Sequence, residues 1–141
     1  MQKISPFLWF EGQAEEAMRF YVSVFPNSRI VSANAMSVSA ELDGQRFLAL
    51  NGGPQYKFTP AISFFVDCQT QPEVDELWDK LCAGGQPSKC GWLTDKYGVS
   101  WQIVPSVLGP LLDHPQKGAQ VMQAMLGMRK LDIAALERAA A

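Results

Sequence analysis

The sequence predicts an α+β fold: two tandem βαβββ modules forming a curved mixed sheet around a cleft, with a helical C-terminal tail. Three observations lead there. A strand running into a helix occurs twice, as Phe7-Leu8-Trp9-Phe10-Glu11-Gly12 before residues 14–25 and as Ser63-Phe64-Phe65-Val66-Asp67-Cys68 before residues 72–81. Each copy closes with a hairpin, through Asp43-Gly44 in the first and across residues 94–99 in the second. Beyond Pro105 the pattern turns helical. A repeat this long is not a solenoid unit, and two copies fill one small domain. That domain spans 1–141, with module one over about 4–53, module two over about 60–105 and the tail over about 106–141. Two equivalent half-sheets facing each other would enclose one cleft, which is where function is expected.

Each element has its own signal. Residues 4–10 are apolar and aromatic-rich, bounded by Pro6 and Gly12, and read as a mostly buried strand. Ala14, Ala17, Met18, Tyr21, Val24 and Phe25 follow the i, i+3, i+4, i+7 spacing of an amphipathic helix. Its acids Glu15 and Glu16 fall in the first turn, where the helix dipole favours them. Pro26-Asn27-Ser28 stops it. Strands are expected over 29–35, 37–42 and 45–51, the last two joined through Asp43-Gly44, a two-residue hairpin signal. Asn51-Gly52-Gly53-Pro54 separates the halves. The second half offers a strand over 61–67, a helix over 72–83 with Pro72 in its first turn, short strands near 87–89 and 92–94, and a last strand over 99–104. Helices over 108–113, 119–128 and 133–141 form the tail, whose Met122, Met125, Leu126, Met128 and Leu131 need cover from the sheet or from a partner chain.

Composition narrows the function classes. A chain of 141 residues can bury most of its apolar surface without staples. A formal net charge of -2, with the 12 Lys and Arg residues scattered, provides no basic field for nucleic acid or anionic lipid. No apolar run is long enough to span a bilayer, and Met-Gln-Lys-Ile-Ser-Pro lacks a signal core, so a cytoplasmic location is the default expectation. The 3 cysteines, Cys68, Cys82 and Cys90, form no C-x-x-C pair and their odd number argues against a disulfide framework. Cys82 is expected to be a buried inert thiol and Cys90 to lie near the cleft mouth without a histidine to activate it.

Several segments are distinctive: Pro6-Phe7-Leu8-Trp9-Phe10-Glu11-Gly12, Phe25-Pro26-Asn27-Ser28, Leu50-Asn51-Gly52-Gly53-Pro54, Cys90-Gly91-Trp92-Leu93-Thr94-Asp95 and Gly98-Val99-Ser100-Trp101-Gln102-Ile103-Val104-Pro105. With the tandem modules they resemble the vicinal oxygen chelate superfamily, which includes glyoxalase I, extradiol dioxygenases and bleomycin-resistance proteins. Within it they are most similar to the PhnB-like family, labelled 3-demethylubiquinone-9 3-methyltransferase domain. One departure is visible: the link between Val31 and Ser39 is shorter than such proteins usually have.

The resemblance implies a divalent ion in catalytic members, held by four side chains at positions that correspond here to Ser5, Ala49, Ala61 and Gln102. Such ions need roughly three firm donors, normally His, Cys, Asp or Glu. Two alanines, a hydroxyl and a carboxamide do not supply them, so no metal and no other cofactor is expected. The one histidine, His114, falls outside the modules and reads as a surface turn residue. Glu11 and Asp67, at equivalent strand ends, read as turn and cap residues rather than a catalytic pair, and no catalytic residue is assigned.

Strand alternation, counted from those positions, sorts a candidate ligand-binding set. Ser5, Phe7 and Trp9 would share the cleft face with Phe47 and Asn51, and Ser63, Phe65, Trp92, Ser100 and Gln102 would line it from the second module. Tyr56 and Lys57 would lie near the mouth, Lys57 able to meet an anionic substituent. A plain core role for these aromatics needs no ligand, since burying each is worth about 1.5 to 3 kcal/mol. The carboxamides tilt the reading toward a pocket, because a buried amide left unpaired costs roughly 1 to 3 kcal/mol. The expected function is metal-free binding of a small planar or hydrophobic molecule by a homodimer. The alternatives are a metal-dependent lyase or isomerase, or the methyltransferase of the family label, and a structural module exposing its Met-rich tail. Methyl transfer lacks its cofactor cradle: no helix follows Gly52-Gly53-Pro54 in the pattern.

Overall fold

The computed structural model describes residues 2–141. Its backbone divides into two units, one ending at Lys57 and one running from Phe58 to Ala141.

The first unit contains β1 (Phe7–Phe10), α1 (Ala14–Val24), β2 (Arg29–Ala33), β3 (Ser37–Leu42) and β4 (Gln45–Asn51). They form a four-stranded sheet in the order β1-β4-β3-β2. β1 runs parallel to β4, and the other pairs are antiparallel. β1 is shorter than its apolar run because Pro6 has no N–H for the ladder, although its carbonyl still accepts from Leu48 N at 2.9 Å. Asp43 and Gly44 both adopt positive φ, 49° and 79°, the conformation a two-residue hairpin needs to match strand twist. The short link between β2 and β3 is a side-chain-capped turn in which Asn34 Oδ1 accepts from Met36 N and Ser37 N at 2.8 and 2.9 Å.

Register decides which face of this sheet is dry. Residues paired across a ladder point the same way. Phe7 pairs with Leu48 and Trp9 with Leu50, whereas Leu8 pairs with Ala49 and Phe10 with Asn51. Continuing through β3, the buried set is Leu8, Phe10, Val38, Ala40, Leu42, Phe47 and Ala49, covered by the apolar stripe of α1. The opposite face carries Phe7, Trp9, Ser39, Leu48 and Leu50 and is open: Phe7 is 57% exposed.

The second unit contains β5 (Phe64–Cys68), α2 (Gln71–Cys82), β6 (Gln86–Pro87), β7 (Trp92–Thr94), β8 (Ser100–Pro105) and the tail helices α3 (Leu108–Leu112), α4 (Gly118–Leu126) and α5 (Ile133–Ala139). The sheet order is β5-β8-β7-β6, with β5 parallel to β8, so the duplication read from the sequence is one of topology. Thr70 caps α2 by accepting from Glu73 N, and Pro72 occupies the first turn as its missing N–H allows. Val74, Leu77 and Leu81 of α2 are buried with Cys68, Leu93, Trp101 and Ile103 of the sheet. The other face carries Phe65, Trp92, Ser100, Gln102 and Val104.

The tail covers part of that second face. Val104 joins Leu108, Val121, Leu131 and Leu136 in a buried cluster against which Met125 and Met128 pack. Backbone bonds fasten it: Cys90 N donates to Met128 O and Gly91 N to Arg129 O, both at 2.8 Å. Gln71 adds a clamp, donating from Nε2 to Leu131 O at 3.0 Å and accepting from Ile133 N at 2.8 Å. Only glycine fits at Gly91, whose φ is +86° and whose missing Cβ would lie 2.8 Å from Ile103 O. Of the two partners left open for the tail, the sheet therefore takes Leu131, while Met122 and Leu126 stay 41% and 53% exposed.

Candidate functional site

On the second sheet, the open face has two strand rows. Thr94 and Ser100 pair across β7 and β8, and the next row is Phe65, Gln102 and Trp92. Phe65 is 60% exposed, an uncommon position for a large ring in a strand centre, and Trp92 is half-buried. Gln102 Nε2 donates to Ser63 Oγ at 3.0 Å, which fixes the carboxamide across the strands. Ser100 is 2% exposed and its Oγ has no hydrogen-bond partner among the described residues. Five expected ligand residues of this module, Ser63, Phe65, Trp92, Ser100 and Gln102, therefore belong to one face.

Beneath this face an aspartate organises the hairpin. Asp95 is 3% exposed; its Oδ1 accepts from Tyr97 N and Val99 N at 2.8 and 3.1 Å, and its Oδ2 from Trp101 Nε1 at 2.9 Å. Sequence reasoning found the hairpin and missed this carboxylate, although an Asp two residues before a Tyr-Gly turn is itself an Asx-turn signal.

The first sheet requires a correction. Phe7 and Trp9 share its open face as expected, but Phe47 and Asn51 do not join them. Phe47 is 6% exposed and pairs with Ala40 beneath α1. Asn51 Oδ1 accepts from Ala14 N at 2.8 Å, satisfying a free donor at the start of α1, and its Nδ2 donates to Ala35 O at 3.0 Å. The expected alternation takes its phase from Ala49, one residue from the observed register, and a one-residue slip exchanges the faces of a whole strand. Leu48 and Leu50 are the residues that stand beside Phe7 and Trp9. Trp9 is held in place: Nε1 donates to Gly53 O at 2.8 Å, Tyr56 meets its ring edge-on at 5.1 Å, and the indole lies where a Gly52 Cβ would be. Ser5 Oγ is buried and, like that of Ser100, unpartnered among the described residues.

The positions that the resemblance implies for a metal shift with the register. Trp9 pairs with Leu50 as Phe65 pairs with Gln102, so the counterpart of Gln102 in the first module is Leu50, not Ala49. The positions that the resemblance implies become Ser5 and Leu50 in the first unit and stay Ala61 and Gln102 in the second; one hydroxyl and one carboxamide among them are not the firm donors a divalent ion takes. Among the described residues, no three His, Cys, Asp or Glu side chains come together in a group that could hold one.

The remaining candidates have local roles. Glu11 pairs with Lys57 at 3.4 Å on an exposed surface, so Lys57 already has an anionic partner. Asp67 accepts from Ser106 Oγ at 2.8 Å. Neither caps a helix, contrary to expectation, because Asn51 and Thr70 fill that role. Exposed His114 accepts from Gln116 N and Lys117 N through Nδ1 at 3.1 and 3.0 Å, a turn role. Burial pushes the Cys68 thiol up to about 12 and the half-buried Cys82 up to about 11, with Glu73 and Asp67 adding to the first and Asp79 to the second. Cys90 Sγ lies 3.5 Å from Met125 O. No helix is long and apolar enough to cross a membrane among the described residues.

Comparison with known proteins adds the last observations. A family model described as 3-demethylubiquinone-9 3-methyltransferase matches residues 2–104. The solved PhnB protein of Bacillus cereus, whose description carries the same label, is 38% identical with a TM-score of 0.69, covering 74% of this chain and 99% of its own. A Pseudomonas aeruginosa protein is 19% identical at TM-score 0.62, covering 74% and 98%. A fosfomycin resistance protein of Listeria monocytogenes is 14% identical at TM-score 0.54, covering 72% and 90%. The last two establish the fold alone. No curated protein matches the sequence.

Proposed function

The chain belongs to the 3-demethylubiquinone-9 3-methyltransferase, or PhnB-like, family of the glyoxalase–bleomycin resistance–dioxygenase superfamily, and on that premise we propose that it is a cytoplasmic homodimer that binds a small planar or hydrophobic molecule on the open faces of its sheets, without a metal ion. The observation that carries the reading is the pair of rings Phe7 and Phe65, 57% and 60% exposed on the corresponding strands of two modules. Exposed aromatics on a strand face beside a fixed carboxamide suit a planar ligand held by few hydrogen bonds. The donor-poor set Ser5, Leu50, Ala61 and Gln102 supports binding without metal. The uncharged stripe of α4 with Met122 and Leu126 outward supports association of two copies.

Methyl transfer is the weaker reading. The Gly52-Gly53 run is engaged as the seat of Trp9, and the next helix begins only at Gln71. A phosphate or nucleotide cradle would instead leave the glycine N–H groups at a helix start. The metal-dependent lyase is disfavoured by the donor set.

Thermal unfolding with excess 2-naphthol tests the reading. A ligand present at about 100 times its Kd stabilises by roughly 2.7 kcal/mol, a shift of several degrees. Wild type should show the shift together with tryptophan quenching, and Gln102→Leu should lose it while folding normally. No shift in the wild type, or an equal shift in Gln102→Leu, contradicts the proposal.

A further inference from the structure

We infer that Ser63 sets the specificity of the second sheet's open face by turning the Gln102 carbonyl outward, so that the face selects an uncharged planar ring carrying an O–H or N–H donor; this rests on the binding reading above. A carboxamide has two donor hydrogens on Nε2 and an acceptor at Oε1, and a serine hydroxyl can both donate and accept. Gln102 Nε2 is committed to Ser63 Oγ at 3.0 Å. Gln102 Oε1 has no partner among the described residues and is not among the fully buried unpartnered atoms, so it keeps some exposure through which a ligand can reach it. Ser63, having accepted, keeps its own O–H to give.

A ring hydroxyl satisfies both groups at once. Its hydrogen goes to Gln102 Oε1 while its oxygen accepts from Ser63. An ether or a ketone offers an acceptor only and leaves the carbonyl facing apolar surface, where an unmet acceptor is unfavourable. Phe65 and Trp92 flank Gln102 in its row and give the ring its stacking surface. Ser100 adds an independent sign that the face expects a polar partner, since its buried hydroxyl meets no other group among the described residues. Ser63, Phe65, Trp92, Thr94, Ser100 and Gln102 include no charged side chain, so no cation in the set would offset the desolvation of a carboxylate. The geometry makes Ser63 a positioning residue.

The experiment compares three probes of one shape by titration calorimetry: 2-naphthol, 2-methoxynaphthalene and 2-naphthoate. Wild type should bind the naphthol about tenfold tighter than the ether, the worth of one well-placed hydrogen bond, and the naphthoate more weakly still. Ser63→Ala frees the carboxamide to rotate and should bring naphthol and ether within about twofold, with the unliganded melting temperature unchanged. Equal affinities for naphthol and ether in the wild type, or tighter binding of the ether or the naphthoate, overturn the inference and leave the binding reading standing. Failure of all three probes to bind overturns the binding reading itself. A tenfold preference that survives in Ser63→Ala also overturns the inference, and Ser63→Thr, which keeps the hydroxyl, should retain the wild-type preference and so decides the matter where Ser63→Ala is poorly folded.

Discussion

Replacing Asp95 with alanine should cost this protein a large share of its stability. Asp95 is almost wholly buried and accepts hydrogen bonds from Tyr97 N, Val99 N and the Trp101 indole at 2.8, 3.1 and 2.9 Å. Hydrogen bonds to a charged group are worth about 1.5 to 3 kcal/mol each, and donors left unmet in a buried site carry their own penalty. Relaxation and water entry recover part of this, so the loss is set at roughly 3 to 5 kcal/mol, against a total of about 5 to 15 kcal/mol for a typical domain. Urea unfolding followed by far-UV dichroism measures it. Asp95→Asn separates the contributions, because its carbonyl can keep both backbone donors while its amide opposes Trp101 Nε1. Its cost should be about 2 kcal/mol and should shrink below about 1 kcal/mol in a Trp101→Phe background, where the opposing donor is gone. A loss under about 1 kcal/mol for Asp95→Ala, or no coupling between the two positions, refutes the assignment.

Three further outcomes are expected. Gly52→Ala places a Cβ 2.1 Å from the Trp9 ring, so the indole must give up Gly53 O and its contact with Tyr56; a loss of roughly 2 kcal/mol and a changed Trp9 emission should follow, and an unaltered protein contradicts the seat assigned to that glycine. Gly91→Ala combines a positive φ with a 2.8 Å approach to Ile103 O and should loosen the tail, read as faster amide exchange in α4 and α5. The thiols of Cys68 and Cys82 lie above the ordinary 9.0 in the folded chain, so the unfolded chain loses their protons first. Stability held below about pH 9 should therefore fall as pH rises toward 12, and a thiol reagent at pH 8 should label these two cysteines only on unfolding; stability that rises over that window contradicts the burial assigned to them.

Local signals were legible wherever the deciding atoms lie close in sequence. Asp43-Gly44, the apolar stripe from Ala14 to Val24, and Pro72 each state their structure within a few residues. The second-module face was legible too, because Ser63, Phe65, Ser100 and Gln102 alternate within β5 and β8 or just before them. The first-module face was not, since the phase of β4 is set by pairing with β1 and β3 some forty and ten residues away, and nothing in Phe47-Leu48-Ala49-Leu50 breaks the tie between two nearly equal apolar sets. Asn51 misled for the same reason: a carboxamide at a strand end looks like a ligand group, and its use as an acceptor for Ala14 N depends on a contact across 37 positions. The site of Trp9 over Gly52 and the Gln71 clamp on the tail are likewise long-range facts.

Metal-free binding is tested most directly by titrating 2-naphthol into protein stripped with a chelator, then into the same protein given Zn, Ni or Mn. The account predicts one affinity throughout, with less than one equivalent of metal retained. Binding that vanishes on stripping and returns with an added ion would contradict it.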